Sequence, residues 1–205
     1  MEFILLLILI IVIVYFWQKN KKKKAEKEES VDPLDSQQMS IEKVQAGGLI
    51  KLTTVGENMD DYDVTISSRH VYREGGYEWF ELEGDNGSNT VWLSVEKDDE
   101  LEVTLAVKKS KLRVLGVSIK DLEEMENNNE GEIEYEDETF YYESSGEADF
   151  FKDGDMNNPE AFYYWEFENE NGSRFISVEE WEDGDVDVTI SLPVKQSQIS
   201  VFSLK

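Results

Sequence analysis

The feature that most constrains the fold is a strand-like phrase that occurs twice, as NGSNTVWLSVE at 86–96 and as NGSRFISVEE at 171–180. Upstream, YEWFELEGDNGS at 77–88 matches FYYWEFENENGS at 162–173 with an offset of 85 residues. Downstream, LEVTLAV at 101–107 matches VDVTISL at 186–192 with the same offset of 85. Because length differences fall in the turns while the strand patterns are kept, the sequence predicts an internal duplication of a three-strand meander.

The remaining sequence extends this β pattern. From residue 47 onward, short apolar alternations are separated by Gly, Asn and Asp, which is typical of an antiparallel β protein. The exception is SIKDLEEMENNNEG at 118–131, which predicts a short helix and a connection that the asparagines end. The sequence thus predicts a mainly β fold of two similar antiparallel β-meander lobes, at 46–117 and 132–205, packed into one unit as in a β-sandwich.

Strand alternation assigns two faces to each meander. One face is apolar in both lobes, and we expect these two core faces to meet. The opposite face places aromatic residues beside carboxylates, which is not a typical solvent-exposed face. Its residues are the candidate binding residues: Trp79, Glu81, Trp92, Ser94 and Glu96 in the first lobe, and Tyr164, Glu166, Phe175, Ser177 and Glu179 in the second.

Two interpretations of this second face remain open. In the structural one, the aromatic rings cover the sheet while serine and glutamate satisfy turn amides, because buried polar groups usually serve local hydrogen bonding. In the functional one, duplication has built a two-part binding surface, in which aromatic rings supply contact area and carboxylates supply charge.

The N-terminal residues predict a membrane anchor. FILLLILIIVIVYFW at 3–17 is uninterrupted apolar sequence, and QKNKKKK follows it directly. The aromatic residues at 15–17 are typical of an interfacial belt, and the lysines favour a cytoplasmic location for the rest of the chain. We therefore expect residues 1–17 to form a single-pass transmembrane helix in the inner membrane, with the N-terminus outside, followed by a basic, polar linker at 18–45.

Composition excludes several classes of protein. Acidic residues outnumber basic ones 46 to 20, for a net charge of −26, and such a chain repels phosphate backbones, so no nucleic-acid partner is expected. There is no cysteine, which removes disulfides and thiolate sites. The only histidine, His70, is interpreted as a polar strand-edge residue, and one histidine cannot build a multi-histidine metal site. We expect no cofactor and no metal.

Acidic segments of the chain are candidate cation sites. DGDMNNPE at 153–160 has the alternate oxygen spacing that opens a calcium loop, but it lacks the glycine and the final glutamate, so a plain acidic turn is favoured. Residues 121–170 contain 19 acidic residues and one basic residue, which favours either a solvated surface or docking of a basic partner. A polyamine would need carboxylates and aromatic faces together, and AFYYWEFENE at 161–170 supplies both.

Several stretches carry a resemblance to a known family. GGLIKLTTVGENMDDYDVTISSRHVYREGGYEWFELEG, WLSVEKDDELEVTL, FYYESSGEADFF and YYWEFENENGSRFISVEEWEDGDVDVTIS resemble the bacterial family called domain of unknown function 4178, over roughly residues 45–203. The resemblance implies a β-rich fold, membrane tethering of some members, and gene neighbourhoods with envelope-stress and polyamine-related proteins. The family has no established catalytic residues, so none is transferred.

The sequence favours a membrane-anchored, non-catalytic interaction module with an acidic, aromatic-bearing surface, in bacterial envelope or stress maintenance, whose partner is another protein or a basic molecule. The alternative is a carboxylate-based hydrolase or a protein that binds cations or polyamines. The two differ in geometry, because an enzyme should hold two carboxylates of perturbed acidity in a deep pocket. An interaction module should instead present a broad, shallow surface.

Overall fold

The protein is mainly β, and the strands of its described residues all pair antiparallel. The structure, a computed structural model, describes residues 39–97 and 100–205. Its eleven strands form a single sheet rather than the two sheets of a sandwich. The strands are β1 (Leu49–Val55), β2 (Asp60–Glu74), β3 (Tyr77–Asp85), β4 (Thr90–Lys97), β5 (Leu101–Lys111), β6 (Glu132–Tyr135), β7 (Glu138–Phe151), β8 (Pro159–Asn169), β9 (Phe175–Trp181), β10 (Val186–Pro193) and β11 (Ile199–Ser203).

The sheet closes on itself. Its order is β11-β1-β2-β3-β4-β5-β10-β9-β8-β7-β6, and β2 also pairs with β7. β2 is long enough for two strands to pair along the same edge. Its first half pairs with β1, and Val71–Arg73 pairs with 149–151 of β7. β2–β5 and β7–β10 therefore form a closed ring of eight strands, called the ring below. The two predicted meanders are adjacent arcs of this ring, joined where β5 pairs with β10.

Three β-bulges redirect side chains in the ring. The pairing of β2 with β3 skips Ser67, that of β5 with β10 skips Val107, and that of β7 with β8 skips Glu143. A bulge adds one residue to one strand, so the residues beyond it change faces and the strand bends more sharply. Each bulge therefore increases the curvature of the sheet and turns new side chains towards the centre of the ring.

The apolar faces of the two meanders point outwards and do not meet in a shared core, contrary to expectation. The first is covered by β1, β11 and the turn at 41–43, and the second by β6 and a helix. The sheet extensions bury each face separately because ring closure turns both faces away from each other. Fully buried members include Leu52, Leu82, Leu93 and Val95 in the first cluster, and Phe140, Trp165, Phe167, Ile176 and Val178 in the second.

The connection between the arcs contains one α-helix, α1 (Ile119–Asn128). Ser118 caps it, since its hydroxyl accepts from the Asp121 amide while the Asp121 carboxylate accepts from the Ser118 amide. Leu122 is fully buried in the second cluster. Two of the asparagines lie inside the helix, and Asn129 ends it with a left-handed backbone at φ 50°.

The compact unit begins earlier than the sequence predicts. It starts at Ile41, inside the expected linker 18–45, because Ile41 and Val44 are buried in the first core cluster. The predicted anchor at 1–17 and most of the linker lie outside the described residues. Within the described part of the chain, no helix combines the length and hydropathy needed to span a bilayer.

Candidate functional site

The inward face of the ring encloses a cavity of about 330 Å³, called the first cavity. Ring strands on both arcs contribute to its wall, because ring closure turns their second faces towards a common centre. Of the ten residues that the sequence predicts on this face, nine line the first cavity: Trp79, Glu81, Ser94, Glu96, Tyr164, Glu166, Phe175, Ser177 and Glu179. The tenth, Trp92, lines an adjoining cavity.

The two arcs place equivalent residues at equivalent register positions. In the first arc, Ser94 lies opposite Glu81 on β3 and opposite Thr104 on β5. In the second arc, Ser177 lies opposite Glu166 on β8 and opposite Thr189 on β10. The same Glu-Ser-Thr row therefore crosses three strands in each arc.

The first cavity is strongly acidic. Eight glutamates line it, and no lysine, arginine or histidine of the described residues does. Lys109 is the only base of the described chain within 4.0 Å of any of these carboxylates, at that distance from Glu81. The cavity therefore has a negative field that its own wall does not neutralise. The glutamates are Glu74, Glu81, Glu96, Glu102, Glu143, Glu166, Glu168 and Glu179.

Hydroxyl groups orient four of these carboxylates. The phenol of Tyr77 donates to Glu96 Oε1 over 2.9 Å, and that of Tyr164 donates to Glu74 Oε2 over 2.7 Å. Tyr72 donates to Glu81 Oε2 over 3.3 Å, and Ser144 to Glu166 Oε2 over 2.9 Å. A single hydroxyl leaves most of the lone pairs of each carboxylate available to a ligand.

A glycine makes room for one of these contacts. Gly146 on β7 lies opposite Tyr164, and a Cβ at this position would be 2.5 Å from Glu74 Oε1 and 3.0 Å from the Tyr164 hydroxyl. Any larger residue would displace the Glu74 carboxylate from its position. This glycine therefore serves the cavity wall rather than a turn.

Glu179 is one of four cavity glutamates, with Glu102, Glu143 and Glu168, whose side chains make no hydrogen bond or ion pair within the described residues. Unlike the other three, it lines both cavities. Burial, followed by repulsion from Glu81, raises its pKa to about 7. Burial also raises the pKa of Glu81 and of Glu166, although Lys109 and Ser144, respectively, act in the opposite direction.

Aromatic rings form the apolar part of the wall. Tyr72 stacks on Trp79 with ring centroids 5.4 Å apart, and Trp79 stacks on Tyr77 at 6.0 Å. Phe162 stacks on Trp181 at 4.9 Å. Flat rings beside carboxylates are the surfaces on which organic cations bind, because the ring face carries negative electrostatic potential.

A second cavity of about 590 Å³ adjoins the first. Tyr72, Glu81, Glu179 and Thr189 line both. The second cavity also contains Lys109, whose Nζ lies 3.7 Å from the centroid of the Trp92 ring. The two cavities thus share part of their wall and together form one acidic space inside the ring.

His70 is buried in the wall of the second cavity, not at a strand edge as the sequence suggests. It is 3% exposed and stacks on Trp92, with ring centroids 5.9 Å apart. Its Nδ1 accepts a hydrogen bond from the Asp153 amide over 3.0 Å, so Nε2 carries the hydrogen of the neutral ring. Nε2 makes no hydrogen bond to the described residues, although Glu83 Oε2 lies 3.5 Å away.

The segment with calcium-loop spacing forms a turn. The Asp155 carboxylate accepts from the Asn157 amide over 3.1 Å and from the Asn157 side chain over 2.9 Å. It also accepts from the side chain of Asn158, and these contacts lower the pKa of Asp155. The Asp155 oxygens are therefore engaged within the turn itself.

Sequence reasoning missed several wall residues, and two bulges explain the most important ones. Simple alternation from Val64 and Ile66 assigns Tyr72 to the outer core, but the bulge at Ser67 turns it inwards. The bulge at Val107 likewise turns Lys109 inwards. Thr104 and Thr189 could have been identified as wall residues from the sequence. The repeat aligns them at the offset of 85, and alternation assigns both to the inward face.

The fold and the cavity define a class: a closed antiparallel sheet whose interior is acidic and lined by aromatic rings. The chain belongs to the family described as domain of unknown function (DUF4178), whose sequence profile matches residues 54–196. No curated protein matches the chain. No solved structure matches it either.

Proposed function

We propose that the protein is a non-catalytic binding module that takes a small organic cation into the first cavity. The observation that carries the proposal is the lining, which combines eight glutamates and several aromatic rings with no base among the described residues. Carboxylates supply charge and the rings supply cation–π contacts to an ammonium group. A cation of low molecular weight fits better than a docked protein, because these groups face the inside of the ring.

A carboxylate-based hydrolase is the second candidate, because the carboxylates line a cavity, as expected for an enzyme, rather than the broad, shallow surface expected of an interaction module. Glu81 and Glu179 both have raised pKa values and line the same space, as the acid and base of such an enzyme would. Acid–base chemistry uses two carboxyl groups, however, whereas this cavity has eight. Turnover of glycosides that is lost in Glu179→Gln would favour the hydrolase.

The first prediction tests cation binding. We expect 1,4-diaminobutane to bind the full chain at pH 8 in a calorimetric titration, and Glu166→Gln to weaken this binding at least about tenfold, since a charge-assisted contact is lost. Butane-1,4-diol, which has the same length without charge, should not bind.

The matched control is Glu147→Gln. Glu147 is an exposed residue of the neighbouring strand β7 and lines neither cavity, so the net charge changes equally. We expect it to bind the diamine as the wild type does. Equal weakening in both variants would show a general charge effect, and absence of diamine binding by the wild type would refute the proposal.

We further propose that residues 1–17 anchor this module in the inner membrane, with the folded unit in the cytoplasm. The apolar run and the lysines behind it support the proposal. The second prediction is that protease added to intact spheroplasts leaves the folded unit undigested, whereas detergent permeabilisation exposes it. Digestion in intact spheroplasts would reverse the orientation, and recovery in the soluble fraction would remove the anchor.

The repeat is the basis of a proposal on origin. We propose that the two arcs derive from the duplication of one meander. The identical Glu-Ser-Thr rows support it, as does the constant offset of 85 between LEVTLAV and VDVTISL. Duplication would have placed one aromatic–carboxylate pair on each side of the interior.

A further inference from the structure

The interior already contains one ammonium group bound in the manner that the proposed function requires. Lys109 Nζ lies 3.7 Å from the centroid of the Trp92 ring and 4.0 Å from Glu81 Oε1. An indole face and a carboxylate around one ammonium form a complete cation site. Lys109 is 48% exposed, so the site is reached from solvent through the second cavity.

The second arc has the same pair without the lysine. The repeat aligns Glu81 with Glu166 and Trp92 with Phe175. At the offset of 85, the counterpart of Lys109 is Val194, which is buried in the first core cluster and donates its amide to Val103 over 2.7 Å. Among the described residues, no base lies within 4.0 Å of the Glu166 carboxylate.

Two polar groups in the shared interior make no hydrogen bond within the described chain. Glu179, in the wall common to both cavities, makes no hydrogen bond or ion pair within the described chain. His70 Nε2 in the second cavity makes no hydrogen bond there either, although Glu83 Oε2 lies 3.5 Å away, and the residue is 3% exposed. A buried polar atom without a hydrogen bond, such as His70 Nε2, is rare in proteins and points to a bound molecule. The binding space inside the ring therefore includes the second cavity as well as the position next to Glu166.

We infer that Lys109 occupies one of two equivalent ammonium positions in the ring and thereby sets which amines the protein accepts. The inference rests on the proposed function. A linear diamine needs only the free position beside Glu166 and Phe175, together with the neighbouring glutamates. A longer polyamine would also need the position beside Glu81 and Trp92, where Lys109 competes with it.

The third prediction is a change of selectivity in Lys109→Met. Methionine keeps an unbranched side chain against Trp92 but removes the ammonium group. In calorimetric titrations of the full chain, the affinity for spermine should rise about tenfold relative to that for 1,4-diaminobutane, as expected for one additional ammonium–ring–carboxylate contact. In Trp92→Leu/Lys109→Met, this gain should be lost, while binding of the diamine shows that the variant is folded.

The control for net charge is Lys108→Met. Lys108 precedes Lys109 on β5 but contacts Tyr135 and Glu136, and it lines neither cavity. We expect it to keep the wild-type ratio of the two affinities. If Lys108→Met shifts the ratio equally, or Lys109→Met leaves it unchanged, the role of Lys109 is refuted while diamine binding stands. If the wild type binds no diamine, both proposals fail.

Discussion

Replacement of Glu179 with glutamine should stabilise the protein by about 3 kcal/mol at pH 8 and by only about 1 kcal/mol at pH 5. Burial raises the pKa of Glu179 from 4.5 to about 7. Between these two values the folded state keeps a proton that the unfolded state has lost. Wild-type stability therefore falls as the pH rises through this window, and glutamine, which resembles the protonated side chain, removes the loss.

Urea unfolding at pH 5, 6, 7 and 8 measures this effect. The matched control is Glu180→Gln, on the same strand but facing outwards, in which the pH dependence caused by Glu179 should remain. Glu136, whose pKa is lowered to about 2 by Lys108, titrates below the window and does not interfere. A wild-type stability that stays constant from pH 5 to 8 would contradict the burial of an unpaired carboxyl group at Glu179.

A measured stability cost of this kind would support a role for Glu179 in binding. A carboxyl group that destabilises the unliganded fold at neutral pH is expected where function needs it, since activity and stability often conflict at such sites. A bound cation would favour the ionised form and offset the cost. Diamine binding should accordingly release protons near pH 7, which titrations in buffers of different ionisation enthalpy detect.

A fragment that ends at residue 130 should fail to fold and should aggregate. It would leave β5 without the seven residue pairs that it forms with β10, and β2 without the three that it forms with β7. Long unpaired strand edges template association between chains. The reason lies in the ring rather than in a core shared by two lobes, since each arc depends on the other for its edges.

A circular permutant opened at residue 130 has the same chain break as the fragment but keeps all of its strands. It therefore shows whether the loss of strands causes the aggregation. The chain ends of the compact unit are adjacent, because β1 pairs with β11 and the Gln45 amide donates to Leu204 over 2.9 Å. Joining 205 to 41 through a short linker and opening the chain at 130 keeps every strand pair, so we expect a soluble monomer by size-exclusion chromatography. A soluble 39–130 fragment that unfolds cooperatively would show instead that the first arc is an independent domain.

The candidate site could be predicted from the sequence to an unusual extent. The repeat and the period of two identified Trp79, Glu166 and the other inward residues, because alternation assigns faces wherever a strand is regular. Alternation could not assign Lys109 or Tyr72 to the inward face. A bulge reverses the faces of the residues that follow it, and the position of a bulge leaves no simple signal in the sequence. The helix was identifiable from its Ser118 cap region and acidic first turn.

The sequence by itself determined that this protein is β-rich, that its strands recur in two similar sets, and which residues share a face. Whether the aromatic and acidic face is an outer surface or an enclosed cavity was decided only by tertiary structure. Alternation is the same in a flat sheet and in a closed one, whereas closure depends on three residue pairs between β2 and β7, which are distant in sequence. Those pairs enclose the glutamates, and enclosure gives Glu179 its raised pKa.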